Sequence, residues 1–280
     1  MSEKIGGQAV IEGVMMRNKE KIAIAVRKKN KIKVKRERIK PISKNFKFLK
    51  WPFFRGIYNL VEMLVIGIKA LVWSADQAVE KKEEKIGSWE LFLTFFIATA
   101  VTILLFLALP LFLTKLLVKS HGIFFNFIDG IFRIFIFIFY VYAISLMKDV
   151  RRVFEYHGAE HKAVHCYEKN KKLTVKNCRE YSTAHIRCGT SFLVIVLIIS
   201  ILIFSLVVSN SFLIKFLSRI FLIPVIIGIS YEILKILERY QKNFLIRLIA
   251  APGLWVQGLT TREPNNRQLE VAIRALKEVE

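Results

Sequence analysis

The apolar residues of this chain come in blocks too long for elements of a soluble core. Residues 91–114 (LFLTFFIATAVTILLFLALPLFLT) and 190–209 (TSFLVIVLIISILIFSLVVS) carry no charge. A helix needs about 20 mostly apolar residues to cross a bilayer, where the backbone finds no water and must satisfy its own hydrogen bonds. Residues 123–147 and 212–237 are nearly as apolar. The expected fold is therefore mainly α and integral to a membrane, with about four transmembrane helices in two pairs (88–147 and 190–240). No apolar h-region follows the first charges, so no cleavable signal peptide is expected.

Charge sets the orientation of those helices. The formal net charge is +22. Residues 1–52 hold 16 Lys and Arg against 4 Glu, net +12, and the connection 148–189 holds 10 against 5 acids, net +5. The two remaining connections are short and carry few basic residues. Basic loops stay on the cytoplasmic side, so both termini and the middle connection are expected inside. Cys166, Cys178 and Cys188 all fall in or beside that connection. In a reducing compartment they are thiols or ligands rather than a disulfide framework.

Outside the apolar blocks, residues 1–50 read as a basic, β-rich region. KIAIAV and IKVKRERI alternate with period two around a Lys-Asn-Lys turn, which predicts a hairpin; GGQAVIEGVMMR offers a further strand. One face of that sheet is expected to be basic, suited to anionic lipid headgroups and less to RNA phosphates. Residues 51–80 are apolar but interrupted by Arg55, Asn59, Glu62 and Lys69. This predicts an interfacial amphipathic helix anchored by Trp51 and Trp73, with a fifth span as the alternative. KKEEKIG (81–87) is a polar break. Residues 243–258, interrupted by Pro252 and Gly253, predict an interfacial or re-entrant segment. Leu269, Ile273 and Leu276 predict an amphipathic tail helix over 266–279.

RRVFEYHGAEHKAVHCYE (151–168) holds three of the five histidines. On a helix, residues four apart nearly share a face and are displaced by about 6 Å. His157, His161 and His165 therefore form a stripe whose ends are about 12 Å apart, too far for one ion. A metal would take one adjacent pair, 157/161 or 161/165. Glu168 returns to the same stripe. HGAEH also fits H-x-x-E-H, in which two histidines hold zinc and the glutamate activates water. A third ligand could come from His185 or Cys188 in AHIRCG, or from Glu232 in the last span, all at the cytoplasmic side by topology. Glu12, beside flexible glycines, is a further acid that could approach. GGQ at 6–8 matches a release-factor tripeptide, but its flanks do not. Asp129 and Arg133, four apart, predict an intrahelical ion pair.

Together GGQAVIEGVMMR, YHGAEHKAVHCYE, HIRCGTSF and QLEVAI resemble the YqhQ-like family of bacterial polytopic membrane proteins, a family of unknown function whose members are predicted metal-dependent enzymes. The resemblance covers nearly the whole chain. It implies a multi-pass protein of the bacterial inner membrane with a metal site, and it places the motif positions at Glu12, His157, Glu160, His161, His165, His185 and Cys188. The chain departs from the pattern in EPNNRQ, where acids are expected at Asn265 or Asn266.

Two functions follow as expectations. One is a metal-dependent membrane hydrolase, with a divalent ion such as zinc held by histidines and Glu160 as general base. The other is a non-enzymatic scaffold or assembly factor, docking an acidic partner through the basic cytoplasmic regions.

Overall fold

The period-two segments form a four-stranded antiparallel sheet in the order β1-β2-β3-β4, comprising β1 (Gly6–Val10), β2 (Gly13–Arg17), β3 (Lys21–Lys28) and β4 (Lys31–Arg38). The computed structural model describes residues 5–39, 46–78, 87–119 and 122–280. GGQAVIEGVMMR thus supplies two strands, turning where Glu12 takes the left-handed φ of 54°. Alternation sorts the side chains onto two faces. Val14, Met16, Ala23 and Ala25 face one way; Met15, Ile22, Ile24 and Val26 face the other.

Both faces of the central strands are covered, which corrects the expectation of a basic sheet face. Helices α5 (Lys148–Glu168) and α11 (Asn266–Lys277) cover the first face, through Tyr156, Ala159, Ala163, Leu269, Ala272 and Leu276. Helix α1 (Phe54–Ala78) covers the second through Met63, Ile66, Ala70 and Trp73. Basic side chains collect on the edge strand β4, where they belong to a ladder facing α1: Lys33 reaches Gln77 at 3.1 Å and Lys35 lies over Trp73. Asn265 caps α11 by accepting from the Gln268 N–H at 3.0 Å, a role that asparagine and aspartate fill equally well.

The apolar blocks form a second group of helices. Helix α2 (Ser88–Ile103) runs through a π-helical turn (Leu104–Ala108) into α3 (Leu109–Leu117), followed by α4 (Ile123–Ser145). After α5 and the short α6 (Val175–Arg179) come α7 (Gly189–Ser205), α8 (Phe212–Phe221), α9 (Ile223–Arg239) and α10 (Phe244–Thr260). Helix α7 packs on α4, α9 and α10, and α1 joins this group by packing on α9.

Among the described residues, Phe54–Ala78, Trp89–Leu117 and Ile123–Ser145 are long and apolar enough to cross a membrane; α8 and α9 make a fourth if their bent pair is one span. The details differ from the hydropathy reading in three places. The 190–209 block is helical only to Ser205, giving 17 residues. The 212–237 block bends by 46° between α8 and α9, just before Pro224, which has no N–H to continue the ladder. Pro252 and Gly253 do not break α10. Gly253 instead lets the helix close on α7, since a Cβ there would lie 2.9 Å from Ser191 Oγ. Residues 81–86 of the polar break lie outside the described residues.

Phe92, Phe96, Phe135, Phe139, Leu202 and Phe221 are all exposed on this second group. So much uncovered aromatic and aliphatic surface marks an interaction with lipid or a partner rather than with water.

Candidate metal centre

Helix α5 begins where α4 ends and carries the histidine stripe across the join between the sheet unit and the apolar helices. A glycine in mid-helix costs about 1 kcal/mol relative to alanine. At Gly158 the reason is contact: a Cβ there would lie 2.1 Å from the carbonyl oxygen of Arg262. The extended strip after α10 runs against α5 at that point, held by Arg262 N–H donating to Phe154 O at 2.9 Å.

That strip and the segment before α7 orient the histidines. His157 Nδ1 lies 2.9 Å from Thr260 O, and His161 Nδ1 bonds to Thr183 O. A carbonyl only accepts, so each Nδ1 is the donor and Nε2 is the nitrogen left to meet a ligand. Anchoring of this kind orients metal-binding imidazoles. Cys188 completes the group, its Sγ 3.3 Å from His157 Nε2. One ligand atom from each of the three lies within 4.8 Å of the others. Cys188 is also the N-cap of α7, its sulfur accepting from Thr190 N–H at 3.4 Å.

Glu160 is almost fully buried beside this group, with Oε2 3.4 Å from His161 Nε2. Strand β1 closes over it: a Cβ on Gly7 would lie 2.7 Å from Glu160 Cγ. Glycine at position 7 is what allows the strand this close.

His165, Glu168 and His185 make a second group, one ligand atom from each again lying within 4.8 Å of the others. Unlike the first, it contains an internal histidine–carboxylate hydrogen bond and an arginine partner. His185 Nδ1 accepts from Arg187 N–H at 3.2 Å, and its Nε2 donates to Glu168 Oε2 at 3.3 Å. Glu168 is in turn ion-paired with Arg187. Burial opposes ionisation of Glu168, but the His185 hydrogen bond and the Arg187 charge outweigh it and hold the carboxyl below its usual range. Burial also holds His165 below the usual histidine range. These contacts, with His165 Nε2 2.8 Å from Ala184 O, hold the 180–188 segment against α5.

The remaining predicted acids go elsewhere. Glu232 pairs with Arg55 and accepts from Phe53 N–H at 3.3 Å, tying α9 to the start of α1. Glu12 pairs with Arg152, accepting at 2.6 Å. Sequence reasoning missed Gln257 and Thr260. Gln257 is fully buried; it accepts from His185 N–H at 2.9 Å and donates to His185 O at 2.8 Å. Its spacing of three from Thr260, on one face of an otherwise apolar helix, is the signal that could have marked both.

A family model described as a protein of unknown function (DUF1385) matches residues 51–280. The chain is 33% identical over 295 residues to the uncharacterized protein YqhQ of Bacillus subtilis (strain 168), covering 98% of this chain and 91% of that protein. No solved structure matches it. With the YqhQ-type motifs distributed over both the sheet unit and the apolar helices, this chain belongs to the DUF1385 family.

Proposed function

We propose that this protein is a metal-dependent hydrolase of the bacterial inner membrane, with its centre at the cytoplasmic face. The observation that carries the reading is that His157 and His161 both spend Nδ1 on backbone carbonyls, that His157 Nε2 meets the Cys188 sulfur, and that one ligand atom from each of the three lies within 4.8 Å of the others. Two imidazoles and a thiolate suit zinc, and three protein ligands leave a fourth position open, as catalytic rather than structural sites do. A divalent ion held there supplies Lewis acidity and lowers the pKa of water. Glu160, adjacent to His161 and walled in by Gly7, accepts the proton from the attacking water and returns it to the leaving group. The contacts among His165, Glu168, His185 and Arg187 keep the Cys188 segment in register with α5.

The charge distribution supports the orientation: both termini and the 148–189 region inside, the 118–122 and 206–211 connections outside. In this topology α1 lies in the interface, because Met63, Ile66, Ala70 and Trp73 are occupied by the sheet. Trp255, Leu245 and Leu248 on the exposed side of α10 sit at the same membrane surface.

The test uses purified protein in nanodiscs, a quenched fluorescent peptide and a fluorogenic ester. Cleavage of one of them is expected in the wild type, with a loss of about 10²–10⁴-fold in Glu160→Gln, the usual scale for a general base, at unchanged metal content. Metal-loaded wild type that cleaves neither, or cleavage indifferent to Glu160→Gln, contradicts the proposal.

A further inference from the structure

The end of α4 away from the metal centre contains a second buried polar cluster. Asp129 of α4 pairs with Arg133 at 2.7 Å, as expected from their spacing, but its same oxygen also receives Arg219 of α8 at 2.9 Å. Lys215, one turn before Arg219, is 2% exposed; Arg219 is 0%, Arg133 3% and Asp129 1%. Three cations face one carboxylate, a formal +2 among apolar helices. Charges at such depth are costly unless paired and mark functional sites by default. From Asp129 to the end of α4 at Ser145 is about 24 Å of helix, so this cluster is separate from the histidine site.

Most of its hydrogen-bonding capacity is used. Arg133 donates to Ser200 Oγ at 2.9 Å and to Phe106 O, in the π-helical turn, at 3.1 Å. Arg219 donates to Lys215 O at 2.8 Å. Both guanidinium groups lie against the Phe204 ring, and Lys215 Nζ stands over the Phe125 ring. Three buried atoms of the cluster have no hydrogen-bond partner: Lys215 Nζ, Arg219 Nε and Asp129 Oδ1. That is two donors and one acceptor beside a surplus of positive charge.

We infer that this cluster binds a protonated phosphate group, either inorganic phosphate or the monoester headgroup of a phosphatidic acid. Phosphate oxygens accept from Lys215 and Arg219, and the P–O–H donates to Asp129. Sulfate has no proton at neutral pH and would meet the Asp129 carboxylate with a lone pair, so the site should reject it. Phosphodiester headgroups also lack the P–O–H. An anion there would tie α8 to α4 and hold the bend between α8 and α9.

The experiment is thermal unfolding of the full chain in phosphate-free detergent and in nanodiscs. Inorganic phosphate, sulfate, phosphatidic acid and phosphatidylglycerol are each added, with native mass spectrometry as a second readout. Stabilisation by inorganic phosphate and not sulfate identifies the free anion. Stabilisation by phosphatidic acid alone, with its mass retained on the protein, identifies the headgroup. Lys215→Met is expected to unfold no earlier than wild type in ligand-free buffer, because it removes an unpartnered buried charge, and to lose at least about tenfold in affinity. No stabilisation by either phosphate source overturns the inference. So does equal stabilisation by sulfate, or binding that survives in a folded Lys215→Met.

Discussion

His157 Nε2 lies 3.3 Å from Cys188 Sγ, across 31 residues of sequence. The contact joins the middle of a polar helix to the N-cap of an apolar one, so it sits on the boundary between the sheet unit and the membrane-type helices. Four anchors produce it: the carbonyls of Thr260 and Thr183 on the histidines, the Thr190 N–H on the sulfur, and Gln257 on the backbone of His185.

Gly158→Ala tests the seam from one side. Helix propensity alone predicts a gain of about 1 kcal/mol. The Arg262 carbonyl 2.1 Å from the new Cβ reverses the sign, and a net loss of about 1–3 kcal/mol is expected, the range for overpacking. Chemical or thermal unfolding in detergent reads it. A stabilised variant would mean that the strip over α5 is not seated there.

Glu232→Gln separates two roles for a carboxylate on an apolar helix. Because Glu232 is engaged by Arg55 and Phe53, the variant is expected to bind metal like the wild type, with loosened docking of α1 on α9 seen as faster proteolysis near residue 53. Loss of metal without loss of docking would return Glu232 to the ligand set.

The histidine face and its neighbours were partly legible in the sequence. The four-residue spacing put the imidazoles on one stripe, and helix rise ruled out a single three-histidine site. Which pair meets which partner was not legible. It depends on carbonyls of Thr183 and Thr260, which any residue type would supply, and on the side chain of Gln257, far away in sequence. Hydropathy found the apolar blocks but not the break after Ser205 or the bend at Leu222, because turns and kinks depend on local backbone detail within a uniformly apolar run. The hairpin was legible, but its basic residues were expected to make a face and instead collect on the edge strand; the covering of both faces by α1 and by α5 with α11 was not legible, since period-two alternation identifies faces without saying what packs on them.

Acidification should destabilise the fold through His165. Burial holds its imidazole below the ordinary range. Above about pH 6.5 both folded and unfolded forms are neutral; below it the unfolded chain takes up a proton that the folded site resists. Stability therefore falls as pH drops through about 6.5. The Glu168 carboxyl is depressed, so its contribution is complete above the ordinary carboxylate value of 4.5 and is lost only as pH falls through its lower folded value. Melting temperature between pH 7.5 and 5.5, in chelator, is expected to drop in the wild type and to change less in His165→Gln. A rise on acidification would contradict the burial of His165.

Cys166 and Cys178 are both buried, and burial pushes both thiols above the usual range. Thiolate is the reactive form, so both are expected to resist iodoacetamide until the protein is unfolded. Peptide mass spectrometry with and without denaturant decides this. Rapid labelling of either in the folded protein would place it outside the core beneath the sheet.

The most direct measurement is bound metal per chain, by elemental analysis of the purified protein and its variants. About one divalent ion per wild-type chain is expected, lost in His157→Ala, His161→Ala and Cys188→Ala, and kept in His165→Ala and Glu160→Gln. A metal-free wild type that takes up no ion on reconstitution, or metal lost with His165 but kept without Cys188, would contradict the centre described above.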